Sequence, residues 1–108
     1  MLITRQDLPH ATVFAVEGKV DLQTSRTLRE QLRPALQASA AVVVIDLTAV
    51  PFMDSSGLTV LIEAKRGTEH YGGQLRLCGL SATLRELFRI TGLTASFDIR
   101  ATRAEALA

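Results

Sequence analysis

The chain has 108 residues, of which 47% are hydrophobic and 21% charged, and this balance predicts one soluble globular domain over residues 1–108. Twelve basic and eleven acidic residues give a net charge of +1 without a block of Lys or Arg, which argues against nucleic-acid binding. No stretch approaches the ~20 apolar residues that cross a bilayer, and the N-terminus lacks a signal-peptide pattern. We therefore expect a cytoplasmic protein without membrane insertion. One cysteine and two histidines leave no disulfide or zinc spacing, so we expect no metal and no cofactor.

Two short segments near the N-terminus are rich in strand-forming residues. Residues 2–4 and 12–17 are predicted strands, and the polar span 5–10 between them, which includes Pro9, is typical of a hairpin connection. The first strand is then an antiparallel edge of the sheet, and Gly18 ends the second strand.

A helix is predicted after the second strand, with Asp21 as a candidate N-cap. Leucines at positions 28, 32 and 36 repeat at i, i+4 and form a ridge on one face. Pro34 lacks the N–H that would bond Glu30, and it lies about 200° around the helical wheel from Leu32. We expect a kink on the solvent side with the leucine ridge intact.

The most unusual chemistry lies in residues 50–58, which we call the motif loop. Residues 41–47 before it form a continuous β-branched run, typical of a parallel strand buried on both faces. Leu58, Leu61 and Ile62 after it share one helical face. The motif loop therefore connects a central strand to a helix N-terminus, where Asp and Ser side chains cap free N–H groups.

The second half of the chain repeats the alternation of helix and strand. Gly72 is expected to stop the second helix, and residues 74–78 alternate as a strand does. Ser81 and Gly92 are placed as the N-cap and the C′ residue of a third helix. Residues 96–99 then form a last short strand.

The order of elements predicts the fold class. A terminal helical turn from Thr102 completes the order β, β, α, β, α, β, α, β, α. This order predicts an α/β domain with a mostly parallel sheet of four to five strands, an antiparallel N-terminal edge strand and about four helices. Such sheets carry their sites at the carboxyl ends of the strands, where we expect Asp21, Asp46, Asp54 and both motif-loop serines to cluster.

At this point the residues resemble a known family. Asp46-Leu47, followed by Phe-Met-Asp-Ser-Ser-Gly-Leu at residues 52–58, is similar to the signature of the anti-sigma factor antagonists. These are the stand-alone branch of the STAS (sulfate transporter and anti-sigma factor antagonist) domains. Residues 18–21 resemble the family's earlier Gly-x-x-Asp element, and Gly92-Leu93 with Phe97 resembles its C-terminal end. The chain departs from the family at Lys19, where an acidic residue is common.

The resemblance implies a partner-switching protein rather than an enzyme, with no catalytic residue of its own. It would bind an anti-sigma factor that is also a serine kinase, and this partner would supply the ATP for phosphorylating a loop serine. By register the acceptor falls on Ser56, with Ser55 as second choice. A separate phosphatase would reset the protein, which we expect to be a monomer or a weak dimer. The residues expected at the partner interface are Asp21, Phe52, Met53, Asp54, Ser55, Gly57 and Leu58.

Several alternatives remain open from the residues alone. Ser56 and Asp21 have a purely structural interpretation as helix caps. A hydrolase is disfavoured because the motif loop lacks the Gly-x-Ser-x-Gly elbow and a nearby histidine, and the glycines and lysine of a phosphate-binding loop are also missing. A constitutive STAS subunit of a transporter or a signalling scaffold is the rival function. Such a subunit can dispense with an acceptor hydroxyl, whereas this chain has two.

Three finer expectations concern individual side chains of the motif loop. Phe52 and Met53 are expected to be partly exposed, because apolar residues in a rim loop suggest docking. Alanine is expected to fit at Gly57 and to slow phosphorylation by obstructing the kinase. Either Asp54 or Ser55 is expected to cap the helix, so that Ser55→Ala costs stability on the order of 0.5–2 kcal/mol while the Ser56 hydroxyl stays free.

Overall fold

The computed structural model describes residues 1–108, and it has the element order that the sequence predicts. No helix in it combines the length and the apolar character that crossing a membrane requires. The elements are β1 (Leu2–Leu8), β2 (Ala11–Glu17), α1 (Leu22–Gln37), β3 (Val42–Ala49), α2 (Ser55–His70), β4 (Gln74–Cys78), α3 (Ala82–Ile90), a 3₁₀ turn (Thr94–Ser96), β5 (Asp98–Arg100) and α4 (Arg103–Leu107).

The five strands form one mixed sheet in the order β1-β2-β3-β4-β5. β1 pairs antiparallel with β2, and every other neighbouring pair is parallel. The predicted fold class, with its antiparallel N-terminal edge strand and four helices, is confirmed. Because β2 and β3 run in the same direction, their carboxyl ends lie at one edge of the sheet, and the motif loop begins there.

The sheet is covered on both faces, which explains the apolar run in β3. A large core cluster, which includes Ile45 and Leu47, lies on the face covered by α1, α2 and α3. A small cluster on the opposite face contains Val44 and Cys78 and packs beneath Ala106 of α4. Alternate residues of β3 thus enter two different cores, so the strand carries no polar stripe until Asp46.

Helix α1 is continuous through Pro34, which is exposed to solvent as predicted. Leu28 and Leu32 are fully buried, and Leu36 packs against the core, so the leucine ridge is intact. Pro34 removes one hydrogen bond from the helix, but it lies on the exposed side of α1 and disturbs no packing contact. The helix therefore continues to Gln37.

Helices α1, α2 and α3 end with the same backbone motif, in which the residue after the C-cap has a positive φ. Gly72 (φ 81°) and Gly92 (φ 71°) hold this position after α2 and α3, as predicted from the sequence. After α1 it is held by Ser39 (φ 56°), and the next N–H, that of Ala40, donates to the Ala35 oxygen at 3.0 Å. A serine at this position carries strain that a glycine avoids.

Three predicted boundaries are wrong, each for a reason that depends on the sheet. β1 continues to Leu8, because its backbone pairs with β2 over its whole length and its polar side chains are exposed to solvent. Only Pro9 and His10 remain in the turn. β3 continues to Ala49, two residues beyond the predicted run at 41–47, because Glu17 of β2 still pairs with Ala49. The last strand begins at Asp98, because the preceding residues form the 3₁₀ turn.

Candidate docking site at the motif loop

A single parallel bridge joins the motif loop to the segment between β2 and α1. Val20 pairs with Met53. The Val20 N–H donates to the Phe52 oxygen at 2.9 Å, and the Asp54 N–H donates to the Val20 oxygen at 3.1 Å. The bridge brings the N-terminal ends of α1 and α2 side by side at the edge of the sheet.

Asp21 caps α1 through a reciprocal capping box. Its Oδ1 accepts hydrogen bonds from the N–H groups of Gln23 and Thr24, both at 3.0 Å. In return, the Asp21 N–H donates to Thr24 Oγ1 at 2.9 Å. The bond from the Thr24 N–H is the main cause that holds the pKa of the Asp21 carboxyl below its ordinary value, with smaller contributions from Gln23 and Lys19. The predicted N-cap role of Asp21 is confirmed.

Asp54 caps α2 with a single side-chain hydrogen bond. Its Oδ1 accepts from the Ser56 N–H at 2.9 Å. The Gly57 and Leu58 N–H groups are bonded to the Asp54 backbone oxygen at 3.1 and 3.3 Å. The helix begins at Ser55, so the cap is Asp54 and the alternative of a Ser55 cap is excluded.

Both serine hydroxyls are left without a hydrogen-bond partner in the chain. Ser55 occupies the first helical position and is exposed, and Ser56 occupies the second and is half-buried. The expectation that Ser55→Ala removes a cap is therefore wrong, because Asp54 performs that role. Hydrogen bonding does not distinguish the two serines, so the capping argument gives no preference for Ser56.

Gly57 is buried and lies against both sides of the bridge. A Cβ atom at this position would lie 2.5 Å from Met53 Cγ and 2.8 Å from Val20 Cγ1, closer than atoms can pack. The absence of a side chain at Gly57 therefore allows the first turn of α2 to pack directly against Val20 and Met53. Alanine does not fit here without a shift, which corrects the expectation that it fits and acts only by obstructing a kinase.

Three of the residues expected at a partner interface belong to the core. Met53 is only 3% exposed, and Leu58 and Gly57 are also buried. The expected exposure of Met53 is wrong because its bridge to Val20 turns the side chain inward. These three residues support the loop from beneath and are not available for direct contact.

Phe52 has the exposure that a docking residue needs. Its side chain is 48% exposed and lines a shallow, mostly apolar groove between the motif loop and α3. Leu87 and Ile90 line the same groove from the helix, and Ile90 is 68% exposed. The contribution of α3 was missed in the sequence, where the only signal was an isoleucine beyond the buried stripe of that helix.

Asp46 does not join the other carboxylates. Its Oδ1 accepts from the Thr48 N–H at 3.0 Å and from Thr48 Oγ1 at 2.6 Å, and its Oδ2 accepts from Arg103 Nε at 3.0 Å. Burial raises the pKa of this carboxyl, but the bonds from Thr48 and Arg103 outweigh burial and lower the pKa overall. Asp46 shares the sheet face of Val44 beneath α4, so the expected cluster of three carboxylates is wrong.

Comparison with known proteins agrees with this architecture. The STAS domain family matches residues 3–106. The chain is 36% identical over 103 residues to the anti-sigma-B factor antagonist of Listeria monocytogenes, covering 95% of this chain and 90% of that protein. It is 40% identical over 86 residues to the anti-sigma-B factor antagonist of Bacillus subtilis, covering 80% and 78%.

A solved structure gives the same result. The crystal structure of an anti-sigma factor antagonist from Mycobacterium paratuberculosis superposes with a TM-score of 0.90 at 26% identity, covering 98% of this chain and 90% of that one. The protein therefore belongs to the STAS domain family. Within it, the relatives above are anti-sigma factor antagonists, which confirms the resemblance drawn from the motif loop.

Proposed function

We propose that this protein is an anti-sigma factor antagonist that binds an anti-sigma factor with serine kinase activity and thereby releases a sigma factor. Two observations support the proposal. The chain is similar over nearly its whole length to proteins of that name. The edge of its sheet also presents exposed Phe52 beside two serine hydroxyls that the fold does not use. Both partners would act in the cytoplasm.

The proposed switch is phosphorylation of Ser56 by the bound partner, which supplies the ATP. The observation that carries this step is a free hydroxyl in the first turn of a helix, next to its N-cap Asp54. Phosphate at a helix N-terminus is favoured by the helix dipole by ~0.3–1 kcal/mol, so the fold is retained. The added charge of about −1.5 to −2, next to Asp54, then repels the partner. A separate phosphatase removes the phosphate and restores binding.

The choice of Ser56 over Ser55 depends on the register of the motif, because both hydroxyls are free of hydrogen bonds. The test is incubation with the cognate kinase and ATP, followed by mass spectrometry of the tryptic peptides. We expect phosphate on Ser56, none after Ser56→Ala, and an unchanged level after Ser55→Ala. The Ser56→Ala protein still binds the anti-sigma factor, whereas Ser56→Asp binds more weakly and stays folded.

Phosphate found on Ser55 would reverse the assignment of the acceptor. Phosphate on neither serine would favour the rival function, in which the domain is a constitutive subunit of a transporter or scaffold. Mass spectra of the wild-type protein and its two alanine variants therefore distinguish the two functions.

Docking through Phe52 is tested by truncation. An anchor residue at an interface typically costs more than ~1 kcal/mol of binding free energy when it is replaced by alanine. We expect Phe52→Ala to weaken partner binding by about fivefold or more, with little change in Tm because the ring is half exposed. Leu107→Ala, at an exposed leucine of α4 on the opposite face of the sheet, is the matched control and leaves the affinity unchanged.

A further inference from the structure

Lys19 lies at the docking edge, which is the edge of the sheet where residues 18–21 lie beside the motif loop. Backbone hydrogen bonds fix its main chain on both sides. Next to it, the Gly18 N–H donates to the Ala49 oxygen at 3.0 Å and the Val20 N–H donates to the Phe52 oxygen at 2.9 Å. The Lys19 oxygen itself accepts from Thr24 Oγ1 at 2.9 Å. The origin of this side chain is therefore fixed relative to the motif loop and to the first turn of α1.

The Lys19 side chain, in contrast, is hardly engaged by the fold. Its Nζ lies 3.7 Å from Asp21 Oδ2, too far for a good hydrogen bond, and the side chain is 68% exposed. The other lysine of the chain, Lys65, lies 3.0 Å from Glu69 Oε1 and is 33% exposed. The Lys19 ammonium group thus keeps most of its donors available to a partner.

The neighbours of Lys19 give this charge a defined setting. Val20 and Met53 pair and are buried, whereas the residues before them, Lys19 and Phe52, are both exposed at this edge. Neighbouring backbone segments in such a pair are about 4.8 Å apart. Asp21 lies at the same edge, with Oδ1 occupied by the cap of α1, but its side chain is 23% exposed against 68% for Lys19, so Lys19 carries the more exposed charge.

We propose that Lys19 contacts an acidic side chain of the anti-sigma factor, next to the contact made by Phe52, and that it determines which anti-sigma factor the protein accepts. The inference rests on the proposed function above and assigns the chemistry of the partner surface. An exposed charge at the rim of an interface acts mainly on the association rate and on the choice of partner. A partner with a basic residue at this point would be repelled.

The test measures binding of the unphosphorylated protein to its cognate anti-sigma factor in the absence of ATP. We expect Lys19→Gln to weaken the affinity about threefold to tenfold, mostly through slower association, and Lys19→Glu to weaken it by more than about tenfold. The salt dependence of the association rate is smaller for Lys19→Gln than for the wild type. Lys65→Gln and Lys65→Glu are the matched controls and stay within about twofold of the wild type.

A rescue experiment identifies the partner group. Single Asp or Glu residues of the anti-sigma factor are replaced by Lys. One of these anti-sigma factor variants should bind the Lys19→Glu protein more tightly than it binds the protein with Lys19. Tm values equal to that of the wild type show that each variant is folded. Unchanged binding by Lys19→Glu, or an equal loss in the Lys65 controls, overturns the inference alone. A wild-type protein that binds no anti-sigma factor overturns the proposed function as well.

Discussion

The N-terminal ends of α1 and α2 lie side by side and both begin at an aspartate, yet they are completed differently. At α1, Asp21 and Thr24 exchange hydrogen bonds, so the cap is closed in both directions. At α2, Asp54 makes one side-chain bond, and the two serines that follow keep their hydroxyls unbonded. An aspartate N-cap is thus present at both helices. We call the cap of α1 closed, because its hydrogen bonds run in both directions, and the cap of α2 open, because the serine hydroxyls next to it are unbonded.

Capping residues alone therefore do not mark a functional site in this protein. Both ends satisfy the ordinary requirements of a helix N-terminus. The N-terminal end of α2 differs in two ways: its two serine hydroxyls make no hydrogen bond within the protein, and the exposed ring of Phe52 lies in the same loop. A closed cap contributes stability, whereas an open one can bind or be modified without unfolding the protein.

The largest effect expected at these ends is that of Gly57→Ala. A Cβ atom would overlap Met53 and Val20, and overpacking of this kind typically costs about 1–3 kcal/mol. We therefore expect Tm to fall by about 5–15 °C in a thermal melt followed by circular dichroism. A Tm equal to that of the wild type would show that Met53 and Val20 move aside at little cost, and that close packing of α2 on the bridge is not needed for stability.

Gly67→Ala is the matched control in the same helix. A Cβ at Gly67 would make ordinary contact with Leu36, 3.5 Å from its nearest methyl carbon. Alanine favours an α-helix over glycine by about 0.5–1 kcal/mol, so this variant should be more stable than the wild type. Opposite signs for the two substitutions would establish that packing, and not helix propensity, decides the result at Gly57.

The second prediction compares the two caps directly. Asp54→Ala should cost about 1 kcal/mol of unfolding free energy, the typical value for a lost N-cap. Asp21→Ala should cost more, because it removes the bonds that Oδ1 accepts from two backbone N–H groups, those of Gln23 and Thr24, whereas Asp54→Ala removes one. Urea denaturation of both variants at pH 7 measures the difference. Equal losses would contradict the distinction between a closed and an open cap.

The pH dependence of the same variants tests the charge of Asp21. Its folded-state pKa lies below the ordinary value of 3.8, so its ionised form stabilises the fold above that pH. This contribution is lost as the pH falls through the folded-state pKa. The stability difference between the wild type and Asp21→Ala should therefore be constant near pH 7 and shrink below pH 3.8. A difference that grows in acid would exclude the carboxylate as the stabilising form.

The smallest effects are expected at the serines. Neither hydroxyl has a partner in the fold, so Ser55→Ala and Ser56→Ala should each change the unfolding free energy by less than about 0.5 kcal/mol. Denaturant titration of both variants checks this. A loss near 1 kcal/mol at Ser55 would mean that this residue, and not Asp54, caps the helix in solution.

Much of the fold was predictable because its signals are local. The β-branched run of β3, the leucine ridge of α1 and the positive-φ glycines at 72 and 92 each report on their own neighbourhood. The extension of β1 to Leu8 was not predictable in this way. Its polar residues are part of the strand because their backbone pairs with β2 as far as Leu8 and Ala11, a contact that residue type does not show.

The site was predictable in its chemistry but not in its burial. The caps at Asp21 and Asp54 follow from residue type, and the motif loop was found from its composition. The inward orientation of Met53 and the need for Gly57 both depend on the bridge to Val20, a contact between distant parts of the chain. The groove that Phe52 shares with α3 has the same origin, since periodicity within one helix does not show which loop lies against it.

The bridge between Val20 and Met53 also has a consequence for how the protein is made. Its two residues are separated in the chain by the whole of α1 and β3, so closing the bridge requires a long loop to form. The docking edge is therefore assembled only when the sheet centre and both helices are in place. A nascent or partly unfolded chain therefore carries the complete motif sequence without the surface that we propose binds the anti-sigma factor.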